Sequence, residues 1–261
     1  MKITLLKLGG SLITEKSKAY TLRGKFIDRL SKEIFRAKKD NPEINLIIGT
    51  GAGSFAHQSA TKYNTANGIF NKKDIYGASV VHFDAQRLNQ IVVECLIKEG
   101  LPAYPLQPSA LIVSSNKQIE TFDSSIFENF LHRGFLPVTY GDVIFDHKIG
   151  TTILSTDTLF KHLAISLNKK GHEVFVIHAG DYDGVLDENE NIIEEITTEN
   201  FYDLKSLGKS ESIDVTGGMR KKVEEMLELT KFDIKSLILN GTKDNVVYES
   251  IVGKLHGTLI R

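Results

Sequence analysis

The sequence predicts an α/β fold in which a mainly parallel sheet carries helices on both faces. Short apolar runs bounded by turn residues are typical of buried strands, and segments with helical spacing separate them. The two kinds of segment alternate along all 261 residues, and no linker rich in Pro, Gly or Ser divides the chain. We therefore expect one domain with one continuous sheet and a soft boundary near residues 168–172.

The predicted strands and helices follow from the spacing of apolar residues. The predicted strands, in chain order, are "ITLLKL", "INLIIG", "FLPVTY", "EVFVIHAG" and "SLILNG". Apolar residues recur with helical spacing in residues 26–35, 83–95 and 219–230, which predicts three amphipathic helices. Two further segments, "ALIVSSNKQIETFD" and "GDVIFDHKIGTTIL", predict hairpins that turn at residues 114–117 and 147–150. We expect these hairpins to give the sheet an antiparallel portion.

Composition excludes several classes of protein. Apolar residues make up 41% and charged residues 25%, and the net charge is -1, so no overall basic field indicates nucleic acid or a membrane surface. A single cysteine, Cys95, excludes an internal disulfide framework and a cysteine-rich metal site. The sequence contains neither a signal peptide nor a run near the roughly 20 apolar residues of a membrane span. These features predict a cytoplasmic protein.

Ligands of open α/β sheets bind at the carboxyl ends of the strands, so the strand exits are the places to inspect. The first exit is "KLGGS". Consecutive N–H groups at Gly9 and Gly10 can form an anion-binding concavity, to which Lys7 adds a charge. The spacing is not that of a P-loop. The alternative is a strand that ends in a glycine turn with Lys7 in solvent.

The second exit is "GTGAGSFAH", whose glycines lead into a predicted helix. The bare N–H groups of a helix N-terminus attract phosphate, and His57 would lie about one turn into this helix. The alternative is a tight turn with His57 on a solvent face. A second interpretation takes "GAGSFA" as a dinucleotide fingerprint with Asp74 on the ribose, but no strand precedes Asp74 to present it.

Three later exits carry acids, glycines and a lysine. In "LSTDTL", Ser155 or Thr156 would cap a helix that begins near Thr158, and Asp157 is either a first-turn acid or the organiser of two lysines. In "HAGDYDGVLD", an acid can face a nucleotide. In "IDVTGGMRKKVEEM", a double glycine starts a helix with Lys222 one turn in. Such a start is a poor choice for a helix unless its backbone approaches a ligand.

The combination indicates phosphoryl transfer. Separate glycine-rich exits, cationic side chains and one central acid suit the transfer of a phosphoryl group between two anionic molecules. That reaction needs alignment and positive charge more than covalent help. The ions that assist it are Mg²⁺ held mainly by the nucleotide phosphates.

Six segments resemble, in order, the motifs of the amino acid kinase superfamily, and most closely those of isopentenyl phosphate kinases. They are "KLGGS", "GTGAGSFAH", "YGDV", "STDT", "GDYDGVL" and "DVTGGMxxK". The resemblance implies a three-layer α/β/α sandwich, usually a homodimer, that uses ATP and Mg²⁺ to convert isopentenyl phosphate to isopentenyl diphosphate in isoprenoid biosynthesis by the mevalonate pathway. It also implies an acceptor-binding lobe at about residues 1–168 and a nucleotide-binding lobe at about residues 169–261.

The resemblance implies three overlapping sets of site residues, with no metal ligand among them. The ATP-binding set is Lys7, Gly9, Gly10, Ser11, Gly53, Asp181, Gly218 and Lys222. The substrate-binding set is Gly51, Ala52, His57 and Thr156. The catalytic set is Lys7, Lys16, His57, Asp157 and Lys222.

Six positions depart from the family pattern. Thr50 stands where the family has histidine, and Ala52, Ala56 and Thr156 stand where it has glycine. Thr158 stands where the family has an acid, and Gly180 stands where it has threonine. These changes lie beside the acceptor, so they leave its identity open more than the phosphoryl transfer itself. The alternatives are a kinase of the same fold for a phosphonate such as fosfomycin, for a carboxylate or for UMP, and a non-catalytic nucleotide sensor. A histidine at position 57 argues against a carboxylate.

Overall fold

The computed structural model describes residues 1–204 and 216–261. The strands are β1 (Lys2–Leu8), β2 (Asn45–Thr50), β3 (Ala103–Pro105), β4 (Ile112–Ser115), β5 (Gln118–Phe122), β6 (Leu136–Tyr140), β7 (Asp142–Asp146), β8 (Gly150–Leu154), β9 (Glu173–Gly180), β10 (Glu195–Ile196), β11 (Lys235–Asn240) and β12 (Thr258–Ile260). The helices are α1 (Gly10–Ile13), α2 (Gly24–Asp40), α3 (Gly53–Tyr63), α4 (Lys72–Lys98), α5 (Ser125–His132), α6 (Thr156–Lys169), α7 (Thr216–Thr230) and α8 (Val246–Ile251).

The central sheet has eight strands in the order β10-β12-β11-β9-β1-β2-β6-β3. Its pairs are parallel except for β11 with β12. The five strands predicted from apolar runs are β1, β2, β6, β9 and β11, which form the middle of this sheet. They are mostly apolar on both faces because helices cover both faces of the sheet. The sheet runs through both halves of the chain.

The side chains of β1 show the three layers directly. Leu6 and Leu8 enter a core formed with α2, α4 and α8. Ile3 and Leu5 enter the opposite core, formed with α5 and α6. Successive side chains of a strand point to opposite faces. The fold is therefore an α/β/α sandwich, as predicted, and Lys7 projects toward the α6 side.

The two predicted hairpins form, but the prediction that they extend the main sheet is wrong. They make a separate four-stranded sheet in the order β5-β4-β7-β8, because β4 pairs in parallel with β7. Asp146 ties the two turns together. Its carboxylate accepts hydrogen bonds from the Ser114 hydroxyl and from the backbone N–H groups of residues 116, 117, 148 and 149. Burial alone would raise the pKa of Asp146, but these donors hold it well below its usual range.

Helix α4 begins with a reciprocal capping box. The Asn71 side chain accepts from the backbone N–H of Asp74, and the Asp74 carboxylate accepts from that of Asn71 at 3.1 Å. Asp74 is therefore a helix cap, and the interpretation of this acid as a ribose ligand is wrong.

Candidate active site

One cleft, with a cavity volume of about 160 Å³, lies at the carboxyl ends of β1 and β9. Its walls come from segments that are far apart in sequence. The lining residues are Lys7, Gly9, Gly10, Ser11, Lys16, Gly53, His57, His178, Ala179, Gly180, Tyr182 and Lys222. Eight of these twelve belong to the predicted site residues.

Two glycine turns abut at the floor of the cleft: the first turn (residues 9–10) follows β1, and the second turn (residues 51–53) follows β2. A Cβ atom on Gly10 would lie 2.5 Å from the Gly53 nitrogen, and one on Gly51 would lie 2.5 Å from the Gly10 nitrogen. The Thr14 hydroxyl donates to the Gly10 carbonyl at 2.7 Å and accepts from the Ser54 N–H at 2.8 Å. Neither turn can therefore move without the other.

Each glycine turn leads into a helix. Helix α1 begins at Gly10 and α3 begins at Gly53, which has a φ of +52° that favours glycine. The first N–H groups of a helix lack partners within it, and they carry the positive end of its dipole. His57, about one turn into α3, lines the same cleft. The second exit thus has the arrangement that the sequence predicts for an anion site.

Lys7 and Asp157 form the tightest ion pair of the cleft, with Nζ 2.5 Å from Oδ2. Both are shielded from water: 11% of the Lys7 side chain and 23% of the Asp157 side chain is exposed. Burial alone would raise the pKa of Asp157, but the Lys7 ammonium outweighs it and holds that pKa well below its usual range. Asp157 is therefore ionised, and it fixes the position of Lys7.

Helix α6 brings Asp157 to this place. The helix begins at Thr156, two residues before the predicted Thr158, and the Ser155 side chain caps it by accepting from the Thr158 N–H at 3.0 Å. The absence of a side chain at Gly49 lets the helix approach β2, since a Cβ there would lie 2.5 Å from the ring of Phe160.

Lys222 faces the cleft from α7. Among the ion pairs of the described residues it does not join Lys7 on Asp157, so the alternative in which Asp157 organises lysines holds here for Lys7 only. The Lys222 ammonium donates to the Tyr182 hydroxyl at 2.5 Å and lies 4.8 Å from the centre of that ring. Burial raises the pKa of Tyr182 to about 12, so the hydroxyl stays neutral. Among the ion pairs of the described residues, Asp157 has Lys7 and His178 as partners.

Two predicted nucleotide residues, Asp181 and Gly218, are not among the residues that line the cleft. Asp181 accepts a hydrogen bond from the Ser11 hydroxyl at 2.7 Å, which joins the exits of β1 and β9. Gly218 lies in the first turn of α7, where a Cβ would meet no atom within 4 Å. The preceding part of its motif, residues 213–215, lies outside the described residues.

The remaining predicted acceptor residues lie behind the cleft. Thr156 is buried, and its hydroxyl donates to the Thr50 carbonyl at 2.7 Å. Ala52 packs with Ala56 against a cluster of small residues on α4. The Thr50 hydroxyl donates to the Asn89 side chain, also on α4, at 3.2 Å. These substituted residues therefore lie where α4 and the start of α6 pack around the second turn.

Sequence reasoning missed two side chains of the cleft, His178 and Tyr182. His178 lies at the end of β9, directly opposite Lys7 in the parallel register. The signal was a single polar residue at the end of the apolar run "EVFVI". Tyr182 carries no such signal, because its proximity to Lys222 depends on how α7 packs.

Residues 2–240 match the sequence profile of the amino acid kinase family. The chain belongs to this family. It is 35% identical over 268 residues to the isopentenyl phosphate kinase of Methanocaldococcus jannaschii, covering 99% of this chain and 98% of that protein.

Solved structures of the family agree with the sequence match. An isopentenyl phosphate kinase structure superposes with a TM-score of 0.81 at 28% identity, covering 99% of this chain and 100% of that one. The product complex of the Thermoplasma acidophilum isopentenyl phosphate kinase superposes with a TM-score of 0.77 at 25% identity, covering 100% of both chains. The similarity therefore extends over the whole length of the described fold.

Proposed function

We propose that the protein is an ATP-dependent isopentenyl phosphate kinase. The observation that carries the proposal is the convergence of Lys7, Lys16, Lys222 and His57 on one cleft beside two glycine turns. Full-length relatives named isopentenyl phosphate kinase support the choice of acceptor.

The cleft suits the charge demands of the reaction. The γ-phosphoryl group leaves the β-phosphate oxygen of ATP, and a new bond forms to an oxygen of the acceptor phosphate, which gives ADP and isopentenyl diphosphate. Throughout this transfer, the negatively charged phosphates of the donor and the acceptor must be held close together. The ammonium groups of Lys7, Lys222 and Lys16 supply positive charge, and Asp157 keeps Lys7 from turning away.

His57 and the start of α3 are the proposed site of the acceptor phosphate. The imidazole of His57 and the N–H groups of the first turn of α3 donate hydrogen bonds to it. Gly51, Ala52 and Thr156 act in this proposal by shaping the second turn from behind, as their packing indicates.

The nucleotide is proposed to bind the later part of the cleft, with Asp181, Gly218 and Lys222 in the lobe of residues 169–261 and with Gly9, Gly10 and Ser11 on its phosphates. Mg²⁺ would arrive with those phosphates and offset their charge. Among the described residues, no group of three or more His, Cys, Asp or Glu side chains could hold a metal ion. The cleft presents ammonium groups, which fits phosphates better than a bare cation.

The proposed homodimer has a candidate interface at the β3 edge of the central sheet. Tyr104 is 42% exposed and Phe135 is 40% exposed, and both rings contact Phe130, with centroids 4.2 and 5.3 Å away. A free strand edge that carries exposed aromatic rings favours pairing with another chain. We expect Tyr104→Asp to halve the mass measured by light scattering, and the exposed control Phe145→Asp to leave it unchanged.

The proposal also places the enzyme in the cytoplasm, where its donor ATP is available. No helix in the described ranges is long and apolar enough to cross a membrane. Recovery of the activity with the cytosolic fraction of the source cells is the expected result, and recovery with the membrane pellet would contradict it.

The decisive experiment is a panel of acceptors assayed for ADP release with ATP and Mg²⁺. The panel contains isopentenyl phosphate, fosfomycin, a carboxylate and UMP. We expect the highest kcat/KM for isopentenyl phosphate. A higher value for another acceptor would replace the proposed substrate, and ATP binding without turnover of any acceptor would indicate a nucleotide sensor.

A variant tests the role of His57. Charge-assisted hydrogen bonds contribute about 1.5–3 kcal/mol, so His57→Ala should raise the KM for isopentenyl phosphate roughly 10-fold to 100-fold. ATP affinity, measured by calorimetry, should stay within about threefold, because His57 is assigned to the acceptor alone. The matched control is Gln58→Ala, the next residue of α3, which is also exposed. Full turnover of His57→Ala at low acceptor concentration would exclude the assigned role.

A further inference from the structure

We propose that His178 is a positioning residue, which holds one carboxylate oxygen of Asp157 so that the other stays on Lys7 during phosphoryl transfer. The inference rests on the proposed function, because it takes Lys7 to act on the transferring group. It adds a residue that neither the motifs nor the family resemblance assigns.

The register of the sheet places His178 beside the ion pair. Lys7 on β1 and His178 on β9 are partners in parallel strands, so their side chains project from the same face. That face carries α6 with Asp157 at its start. His178 is 5% exposed and borders the cleft.

The contact between His178 and Asp157 involves one buried polar atom of each side chain. The imidazole Nδ1 lies 3.2 Å from Asp157 Oδ1, while Oδ2 of the same carboxylate accepts from Lys7 at 2.5 Å. Within residues 1–204 and 216–261, neither Nδ1 nor Oδ1 has a hydrogen-bond partner of good geometry. Unpaired buried polar atoms are costly, and a small rotation of the ring satisfies both if Nδ1 carries the proton.

The consequence is a carboxylate clamped from two strands. With Oδ2 held by Lys7 and Oδ1 held by His178, Asp157 cannot rotate about its terminal bond without breaking a hydrogen bond. Lys7 then keeps its place at the cleft wall when the bound anions attract its ammonium group. Burial lowers the pKa of His178, which favours the neutral ring and leaves the Lys7 charge undisturbed.

Two substitutions separate this role from that of a core filler. His178→Leu keeps most of the volume and loses the donor, whereas His178→Asn is smaller and polar but carries an amide nitrogen near the place of Nδ1. We expect His178→Leu to lower kcat roughly tenfold, with both KM values within about threefold, because a misplaced group lowers the rate of the chemical step. His178→Asn should retain most of kcat although it is less stable. A mere core filler would give the reverse order.

A double-mutant cycle tests whether His178 acts through Asp157. In the Asp157→Asn background, His178→Leu should lower kcat no further, because the carboxylate that it orients is gone. Val174→Ala is the matched control, since Val174 is buried on the same face of β9. It should lower the thermal unfolding midpoint and leave kcat unchanged. A wild-type kcat in His178→Leu, or a full additional loss in the Asp157→Asn background, would overturn the proposal.

A measurement without turnover distinguishes this proposal from the proposed function. Ring ¹⁵N chemical shifts of histidine-labelled protein should show a protonated Nδ1 at His178 and should change in Asp157→Asn. If isopentenyl phosphate is not turned over but the shifts behave in this way, the proposed function fails and the contact stands, and the kinetic cycle is run with whichever acceptor releases ADP. An Nε2–H tautomer whose shifts ignore Asp157→Asn would overturn the inference.

Discussion

Gly10→Ala is a sharp perturbation of the site, because it places one methyl group between the two glycine turns. The new Cβ would lie 2.5 Å from the nitrogen and 2.7 Å from the Cα of Gly53. Both neighbours are backbone atoms, which cannot rotate aside as a flexible side chain can. Ordinary contacts of a Cβ begin near 3.4 Å, so the turns must separate by 3.4 − 2.5 = 0.9 Å.

This displacement should affect catalysis far more than folding. Overpacking of this kind costs about 1–3 kcal/mol, which a domain with a stability of about 5–15 kcal/mol survives. A misplacement of about 1 Å in a catalytic site can lower the rate by about 100-fold. We therefore expect kcat to fall by about 100-fold while the free energy of unfolding falls by about 2 kcal/mol.

Two assays measure these quantities on the same samples. Coupled ADP release with isopentenyl phosphate gives kcat, and urea unfolding followed by circular dichroism gives the free energy of unfolding. The matched control is Gly24→Ala at the start of α2, where a Cβ meets no atom within 4 Å. Its kcat should equal that of the wild type, and its stability should be equal or higher by up to about 1 kcal/mol.

Two outcomes would refute the reasoning. Wild-type kcat and stability in Gly10→Ala would mean that the turns are not in the tight contact described above. An equal loss of kcat in Gly24→Ala would mean that the effect is common to glycine substitutions and says nothing about the turns.

Three further predictions concern polar groups outside the cleft. The hydrogen bond to Asp142 at 2.7 Å raises the pKa of His82 above 6.5, so the native state binds this proton more tightly than the unfolded state. The stabilisation from this hydrogen bond is fully present below about pH 6.5 and is lost as the pH rises through the folded pKa. The free energy of unfolding measured in urea should therefore fall between pH 6 and pH 9, and His82→Gln should lack this fall. Asp146→Ala should lower the free energy of unfolding by about 3 kcal/mol or more, because it leaves several backbone N–H groups of the hairpin turns unpaired; a loss under about 1 kcal/mol would contradict this. Tyr20→Phe removes the hydrogen bond to the buried Asp84 at 2.9 Å, and it should lower the free energy of unfolding by about 1 kcal/mol. The loop at residues 14–22 should then be cleaved faster by proteases, and an unchanged rate of cleavage would contradict the prediction.

The sequence alone determined which segments become strands and helices and which strand exits carry chemistry. Apolar runs such as "ITLLKL" and "EVFVIHAG" are strands because their composition suits a sheet covered on both faces, and this is a local property. The sequence also identified the site residues Lys7, His57 and Lys222 and the two glycine turns. Glycine and lysine at strand exits and helix starts indicate anion binding, and this is a local property of the sequence. The family resemblance assigned their roles, and the structure brings these residues to one cleft.

Only the tertiary structure decided how these pieces meet. The hairpins form their own sheet because β4 pairs with β7, and Asp146 ties their turns together, which no spacing within either hairpin reveals. The pairing of Asp157 with Lys7 requires α6 to pack closely over Gly49, and the place of His178 requires the register of β1 with β9. The contact of Lys7 with Asp157 joins residues 150 positions apart in the chain, so no local pattern encodes it.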